Sequence, residues 1–317
     1  MKTKLIKIID FILIPFTSLS LLWLRKIRRW GTRTKYSRIL FDYFEILPIH
    51  DHYYEPLINP KKHLLYPLSN DRKLKGIDFN ISEQIKIINS FNYNEELVKF
   101  SINKINEVDY FYNNLSFEYG DSEYLYNMIR FYKPKNIIEI GSGYSTRMMV
   151  HAVEQNKIKD KMYNCKIQCI EPYEYKTLGK LHVSIIKERV EKNSLNMYKV
   201  LKENDILFID SSHIIRPQGD VLYEIQNILP SLNKGVIIHV HDIFTPKDYP
   251  KEWIMNQKLW NEQYLLESFL AFNNSFKIIG SLNYLKHHHW ETLASKCPLL
   301  KQNKNSEPGS FWIKKIN

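Results

Sequence analysis

The segment Asn136-Ile-Ile-Glu-Ile-Gly-Ser-Gly-Tyr-Ser-Thr146 is the part of the sequence that indicates the fold class most clearly. Its isoleucines predict a short buried strand, its two glycines predict a tight turn, and the apolar segment after Thr146 predicts a helix. Glycine permits a positive φ and a close approach of a ligand to the backbone, while the free N–H groups of a helix start attract an electron-rich group. The stretch therefore predicts a strand–turn–helix unit that binds a nucleotide-like cofactor.

Strands and helices alternate from this stretch to the end of the chain. Further apolar strands are predicted at residues 166–171, 182–187, 205–209, 235–240, 276–282 and 310–315, and helices at 220–232 and 259–272. Such alternation predicts an α/β fold with a doubly wound, seven-stranded, mostly parallel sheet. Upstream, helices are predicted at 81–100, at 103–113 and at 121–132, where Asp121 is suited to cap the helix N-terminus.

Acidic residues collect where the predicted strands end. Glu139 lies inside the first strand, Glu171 closes the second, Asp210 closes the fourth and Asp242 follows the fifth. Ligands of doubly wound sheets bind at these strand ends, and an acid after the second strand is placed to bind ribose hydroxyls. Thr146 replaces the third glycine of a dinucleotide fingerprint, and Glu139 would repel a pyrophosphate. The pattern therefore disfavours a dehydrogenase and suits a ligand that carries an ammonium group.

Composition limits the classes of protein that fit. With 317 residues and 44% apolar content, the chain can bury a full core. Its three cysteines are too few for a disulfide framework, and the spacing of Cys165 and Cys169 does not predict a zinc site, so reduced cytosolic thiols are expected. Of the net charge of +11, residues 1–40 carry +9, from ten Lys/Arg and one acid, which leaves +2 for the rest. The high pI is therefore no argument for nucleic acid binding.

The N-terminal segment combines apolar and basic residues. Residues 5–24 are hydrophobic but are interrupted by Lys7, Asp10 and Pro15, and the uncharged run 11–24 is shorter than the roughly 20 residues that span a bilayer. Basic residues beside this run, with Trp23 and Trp30, indicate peripheral contact with an anionic membrane surface. Packing of a helix pair on the body or on a second subunit stays open as an alternative, and a cleaved or spanning segment is a third.

Four motifs together resemble one family. They are Glu139-Ile-Gly-Ser-Gly-Tyr-Ser-Thr146, Cys169-Ile-Glu-Pro172, Phe208-Ile-Asp-Ser-Ser-His213 and Ile238-His-Val-His-Asp-Ile-Phe244. In this order they resemble class I S-adenosylmethionine-dependent methyltransferases, and are similar to bacterial small-molecule O-methyltransferases linked with surface polysaccharides. The resemblance implies a Rossmann-like methyltransferase fold at residues 116–317, preceded by a helical and irregular extension at 41–115 and the basic hydrophobic segment at 1–40.

The resemblance also implies roles for individual residues. Glu139, Gly141 and Gly143 would hold the methionine part of S-adenosylmethionine, and Glu171 would bind its ribose hydroxyls. Three further residues are expected to contact the cofactor: Ser145, Thr146 and Asp210. For Ser145 and Thr146, capping of the helix N-terminus alone is the alternative.

Methylation of a sugar hydroxyl requires help with its proton, because the hydroxyl is a poor nucleophile at neutral pH. A histidine base or a divalent cation would serve. We predict catalytic roles for Asp210, His213, His241 and Asp242, with His213 as base or third metal ligand. Asp210 and Asp242 would share Mg²⁺ or Mn²⁺. Ile243 weakens the metal option, because catechol-type methyltransferases have Asn or a second acid at that position.

Two other functions stay open. One is a non-catalytic module that binds S-adenosylmethionine, and the other is an RNA methyltransferase with residues 1–40 as a basic arm. The second is disfavoured because Asp210-Ser-Ser-His213 stands where an aromatic–proline motif would follow the fourth strand. We therefore expect a small polar acceptor, no nucleic acid partner, a homodimer, and a cytoplasmic location with peripheral contact at the inner face of the membrane through residues 1–40.

Overall fold

Seven strands form one sheet in the order β3-β2-β1-β4-β5-β7-β6. The structure is a computed structural model that describes residues 2–173 and 178–317. The strands are β1 (Asn136–Ile140), β2 (Lys166–Ile170), β3 (Ser184–Ile186), β4 (Ile206–Ile209), β5 (Ile237–Val240), β6 (Phe276–Ser281) and β7 (Phe311–Lys315). β1 to β5 pair in parallel, while β7 runs antiparallel to β5 and β6. The predicted seven-stranded, mostly parallel sheet is confirmed.

The chain folds into two compact units. One contains the chain up to Tyr66 together with Ile254–Leu259, and the other contains Pro67–Trp253 and Trp260–Asn317. Helices of the first unit are α1 (Lys2–Ile12), α2 (Ile14–Trp30), α3 (Lys35–Phe44) and α4 (Pro60–His63). Helices of the second are α5 (Ile81–Asn89), α6 (Asn94–Leu97), α7 (Asp121–Tyr132), α8 (Tyr144–Lys159), α9 (Asp220–Tyr223), α10 (Leu229–Ser231), α12 (Glu262–Leu270), α13 (Leu282–His288), α14 (Trp290–Lys296) and α15 (Pro298–Gln302), and α11 (Lys251–Met255) crosses the boundary in sequence.

Both faces of the sheet are buried, which explains why its strands are apolar without strict alternation. In β1, Ile137 points into a core shared with α7 and α8, whereas Ile138 and Ile140 point into a core shared with α9 and α12. The strand order reverses between β1 and β4, so their carboxyl ends leave a crevice at that edge of the sheet.

Two of the upstream helix predictions were wrong in extent or in kind. The helix predicted at 81–100 is broken into α5 and α6, and residues 103–113 form no helix. In that segment the Asn106 side-chain oxygen accepts hydrogen bonds from the backbone N–H groups of Val108 and Asp109, both at 2.8 Å. These local bonds replace the helical ones, as short amide side chains do in turns.

Asp121 does begin a helix, but it does not cap it. Gly120 holds the cap position, while the Asp121 carboxylate accepts hydrogen bonds from the backbone N–H groups of Gly309 and Ser310 at 3.2 and 2.7 Å. The helix predicted at 220–232 is present as α9, a widened turn at Glu224–Ile228 and α10. Pro230 lies at this point, and it cannot donate a backbone hydrogen bond to the preceding turn.

Within the described residues, no single helix is long and apolar enough to cross a bilayer. Only α1 and α2 taken together reach that length and composition, and the two are bent by 63° at the break between them. In α2, Ile27 is buried. Apolar side chains elsewhere on the two helices are largely exposed.

Candidate functional site

The glycine turn joins β1 to α8 at the point where the strand order reverses. Gly141 has a φ of +88° and donates its N–H to the Ile170 carbonyl oxygen at 3.0 Å. A Cβ atom at this position would lie 2.2 Å from the backbone oxygen of Asp210. Glycine is therefore required here because the ends of β1 and β4 pass against each other.

The Glu139 side chain accepts the hydrogen bonds that hold the turn in place. This side chain is fully buried, and it accepts hydrogen bonds from the hydroxyls of Ser145 and Thr146, each at 2.6 Å, and from the Cys169 thiol at 3.3 Å. Thr146 in turn accepts the N–H of Gly143 at 2.9 Å. Burial raises the pKa of Glu139 to about 7, and the hydroxyl hydrogen bonds oppose that rise. Contact of these side chains with the methionine part of a cofactor stays a prediction.

Glu171 lies at the end of β2 and faces a cleft. Its carboxylate accepts the Ser142 hydroxyl at 3.0 Å and the Tyr173 N–H at 2.9 Å. The cleft has a volume of about 320 Å³, which falls within the roughly 300–1,000 Å³ of ligand sites. Its lining includes Ile140, Gly141, Glu171, Arg189, Asp210 and Arg216. The predicted cofactor residues at the three strand ends are thus brought to one crevice.

His213 lies between carboxylates from three elements. Its Nδ1 is 2.8 Å from Oε2 of Glu262, at the start of α12, and its Nε2 is 3.2 Å from Oδ1 of Asp210 and 3.9 Å from Oδ2 of Asp242. The ring also packs against Trp260, with centroids 4.1 Å apart. Burial alone would lower the pKa of His213, but its hydrogen bonds to Asp210 and Glu262 outweigh burial and raise that pKa well above 6.5.

His241 and Asp242 follow β5, and Asp242 lies near the same His213 nitrogen as Asp210. His241 is 4% exposed, its Nε2 is 3.7 Å from Oδ1 of Asp242, and its ring packs on Phe117. Burial lowers the pKa of His241, but the charges of Asp242, Asp210 and Asp121 outweigh burial and raise it. The His241 Nδ1 is buried and has no hydrogen-bond partner in the described part of the chain. The four predicted catalytic residues therefore form one cluster.

His239 lies in the core, two residues before His241 in β5. Its ring stacks on Phe208 with centroids 3.8 Å apart, and its Nε2 is 3.0 Å from the Ser310 hydroxyl oxygen. Burial lowers the pKa of His239 well below its usual value, so the imidazole is neutral.

Two buried carboxyl groups beside His213 were not predicted from the sequence. Glu262 and Glu224 are both fully buried, and one oxygen of each has no hydrogen-bond partner among the described residues. Glu224 accepts the Ser211 hydroxyl at 3.0 Å. Burial, followed by the charge of Glu262, raises the pKa of Glu224 well above its usual value. The sequence predicts a helix start at Trp260-Asn-Glu-Gln-Tyr264, but nothing in the spacing of that segment points to His213.

The sequence predicts a metal centre at Asp210 and Asp242. The two carboxylates do lie on the same side of His213, within 3.2 and 3.9 Å of its Nε2. Across residues 2–173 and 178–317, no group of three or more His, Cys, Asp or Glu side chains is arranged to hold a metal ion. A cation held by the two carboxylates and waters stays a prediction.

Comparison with known proteins gives a family match over this part of the chain. Residues 138–243, from β1 through Asp242, match a family model described as a methyltransferase domain. An uncharacterized protein of Archaeoglobus fulgidus is 31% identical over 169 residues, which cover 49% of this chain and 74% of that protein.

Two solved structures are similar to parts of the chain. The O-methyltransferase TomG of Streptomyces achromogenes, involved in tomaymycin synthesis, has a TM-score of 0.38 and 12% identity, covering 62% of this chain and 79% of its own. CalS11, a TDP-rhamnose 3′-O-methyltransferase of calicheamicin biosynthesis, has a TM-score of 0.38 and 13% identity, covering 77% of this chain and 99% of its own.

Proposed function

Because the chain belongs to the class I S-adenosylmethionine-dependent methyltransferases, we propose that it transfers a methyl group to a hydroxyl of a saccharide or another small polar acceptor. The observation that carries this proposal is His213, an imidazole held between carboxylates directly beside the cofactor crevice. A hydroxyl acceptor must lose a proton during transfer, and a positioned histidine is suited to take it.

The crevice fits the cofactor by the chemistry of its lining. Glu171 offers a half-exposed carboxylate at the end of β2 for the ribose hydroxyls. A Cβ atom added at Gly143 would meet no other atom within 4 Å, so ligand atoms can approach the backbone there. Bound S-adenosylmethionine supplies an electrophilic methyl carbon on a positively charged sulfur. The side chains expected to hold it are those of Glu171 and Asp210, with the Gly141–Gly143 backbone.

His213 would act through its Nε2 atom. Nδ1 is hydrogen-bonded to Glu262, so Nε2 is the nitrogen that faces Asp210 and Asp242. Nε2 would take the O–H proton of the acceptor, while bound S-adenosylmethionine would supply the methyl group and leave as S-adenosylhomocysteine. Only the neutral imidazole can take this proton, so transfer requires a pH above the raised pKa of His213.

The surroundings of His213 support a polar, ring-shaped acceptor. Trp260 is half-buried and packs on His213, so an aromatic side chain lies beside hydrogen-bonding carboxylates. Sugar rings are commonly bound in this way, with an apolar face on an aromatic ring and hydroxyls on acidic side chains.

The proposal is tested by transfer of labelled methyl groups from S-adenosylmethionine to a panel of simple glycosides and sugar nucleotides. We expect at least one acceptor to be labelled. His213→Gln should lower kcat by about 10²–10⁴-fold while leaving cofactor affinity unchanged. His182→Gln, at an exposed position, is the matched control and should behave as wild type.

Failure would take one of three forms. Full activity of His213→Gln would remove the histidine from the mechanism. Cofactor binding with no transfer to any acceptor in the panel would favour the non-catalytic module. Labelling of RNA instead of sugars would favour the RNA methyltransferase.

A metal-assisted reaction is the second candidate. Asp210 and Asp242 are placed at neighbouring strand ends, where a divalent cation could lower the pKa of the acceptor hydroxyl. In that case EDTA would abolish transfer, and Mg²⁺ or Mn²⁺ would restore it. Unchanged activity after EDTA treatment leaves His213 alone to remove the proton.

We also propose that the enzyme works in the cytoplasm, with peripheral contact at the inner face of the membrane through residues 1–40. The charge of that segment supports this location. A homodimer, also predicted from the sequence, stays a prediction that light scattering on the intact chain would decide.

A further inference from the structure

Helices α1 and α2 each have one face that is mostly apolar. In α2, Phe16, Leu19, Trp23 and Trp30 recur at the spacing of one helix face, and Trp23 and Trp30 are in edge-to-face contact with centroids 5.8 Å apart. Arg25, Arg28 and Arg29 lie away from this face by the same geometry, whereas Lys26, three residues after Trp23, lies at its edge.

The same division holds in α1. Lys7 and Asp10 lie on one side of this helix by its geometry. The opposite face is apolar and contains, at positions i, i+3, i+4 and i+7, Leu5, Ile8, Ile9 and Ile12. Both helices are therefore amphipathic, which is the pattern of a segment that lies in the plane of a membrane surface.

The apolar faces of these helices are exposed. Phe16 is 71% exposed and Leu19 is 69% exposed, and the four residues of the α1 face are also exposed. Exposed apolar area on this scale indicates a binding surface and is uncommon on the free surface of a globular protein.

The net charge of the segment indicates which kind of partner covers this apolar surface. Residues 1–40 carry a net charge of +9, and Arg28 is the one basic side chain there with an ion-pair partner in the described residues, Glu55 at 2.6 Å. Two copies of this segment would repel each other. An anionic lipid surface would attract it, because phosphates neutralise the basic side chains while the acyl region receives the apolar ones.

We propose that α1 and α2 dock into the headgroup layer of an anionic phospholipid bilayer. The face that contains Phe16, Leu19 and Trp23 inserts toward the acyl chains, and the arginines at 25 and 29 meet the lipid phosphates. The bend of 63° between the helices suits two segments lying along the surface, each too short to span it. This docking rests on the proposed membrane contact of residues 1–40 and is independent of the methyl-transfer chemistry.

Flotation of the intact chain with vesicles tests the docking. Vesicles of phosphatidylcholine with phosphatidylglycerol should carry the protein upward, and vesicles of phosphatidylcholine alone should carry at least tenfold less. Raised salt should reduce binding to the anionic vesicles, because the charge attraction is screened.

Two variants separate the apolar and the charged contributions. Phe16→Ser with Leu19→Ser should lower partition at least tenfold, and Arg25→Glu with Arg29→Glu should abolish the preference for anionic vesicles. Met162→Ser is the matched control, because Met162 is also apolar and is 91% exposed in the other unit. All of these variants should bind S-adenosylmethionine as wild type does, which distinguishes a failure of docking from a failure of the enzyme assignment.

Several results would overturn the proposal. Equal binding to both vesicle types, or undiminished binding by the Phe16 and Leu19 variant, would contradict docking through these helices. Concentration-dependent self-association that is lost in the same variant would assign the surface to a second copy. Retention in cell membranes after alkaline extraction would indicate a segment that crosses the bilayer.

Discussion

His213 illustrates how one residue acquires its chemistry from opposing effects. Burial disfavours the charged imidazole, whereas Asp210 and Glu262 at 3.2 and 2.8 Å favour it. The carboxylates prevail, and the pKa of His213 rises well above 6.5. The result is a strong base that is available only when the pH is high enough to remove its proton.

Glu262→Gln should move the pH dependence of kcat to lower pH. The glutamate is one of two partners that raise the pKa of His213, so its removal lowers that pKa and the acidic limb of the profile follows. We expect the acidic limb to move to lower pH, together with a lower plateau because the base is weaker.

A carboxylate elsewhere in the same unit provides the control. Glu307→Gln removes an acid that pairs with Lys286 and His287, and its profile should match wild type. If the acidic limb of the pH profile is unchanged in Glu262→Gln, Glu262 only packs against His213 and does not set its pKa.

At the scale of the element, the β1–α8 turn is the most constrained part of the site. Gly141 has a positive φ, and its neighbour across the turn is the Asp210 backbone oxygen. Gly143 has an extended φ of 167° and open space around it. Two glycines that look equivalent in the sequence therefore serve different purposes.

Gly141→Ala should destabilise the fold, because the new Cβ atom would lie 2.2 Å from the Asp210 oxygen. We expect the free energy of unfolding in urea to fall by about 2–5 kcal/mol. Gly143→Ala should change it by less than about 1 kcal/mol and should instead weaken cofactor binding, since its methyl group points into open space. Equal stability of the two variants would contradict this assignment.

The strands and helices of the second unit could largely be predicted from the sequence, whereas the side-chain contacts within the site could not. Buried parallel strands carry their own signal in runs such as Ile137–Ile140, and the acids at strand ends follow from topology alone. Glu262 comes from α12, 49 residues after His213, and only tertiary packing brings the two together. The helix predicted at 103–113 failed because Asn106 satisfies nearby backbone groups locally, a competition that apolar spacing does not reveal.

At the scale of the whole molecule, the net charge is concentrated in the N-terminal segment. The N-terminal 40 residues carry +9 of the net +11, so the remaining 277 residues carry +2. A nearly neutral body suits a small polar acceptor, while a basic amphipathic segment suits an anionic surface. The division was readable from the sequence, but the exposure of the apolar faces required the structure.

Calorimetry with S-adenosylmethionine tests most directly whether the crevice at the ends of β1, β2 and β4 binds this cofactor. Wild type should bind, and Glu171→Ala should raise Kd by about 10–100-fold, the range expected for lost hydrogen bonds to a charged group. Glu188→Ala makes the same charge change at a side chain that is 46% exposed and outside the cleft lining, and it should bind as wild type does. No binding by wild type, or an unchanged Kd in Glu171→Ala, would contradict a cofactor site in this crevice.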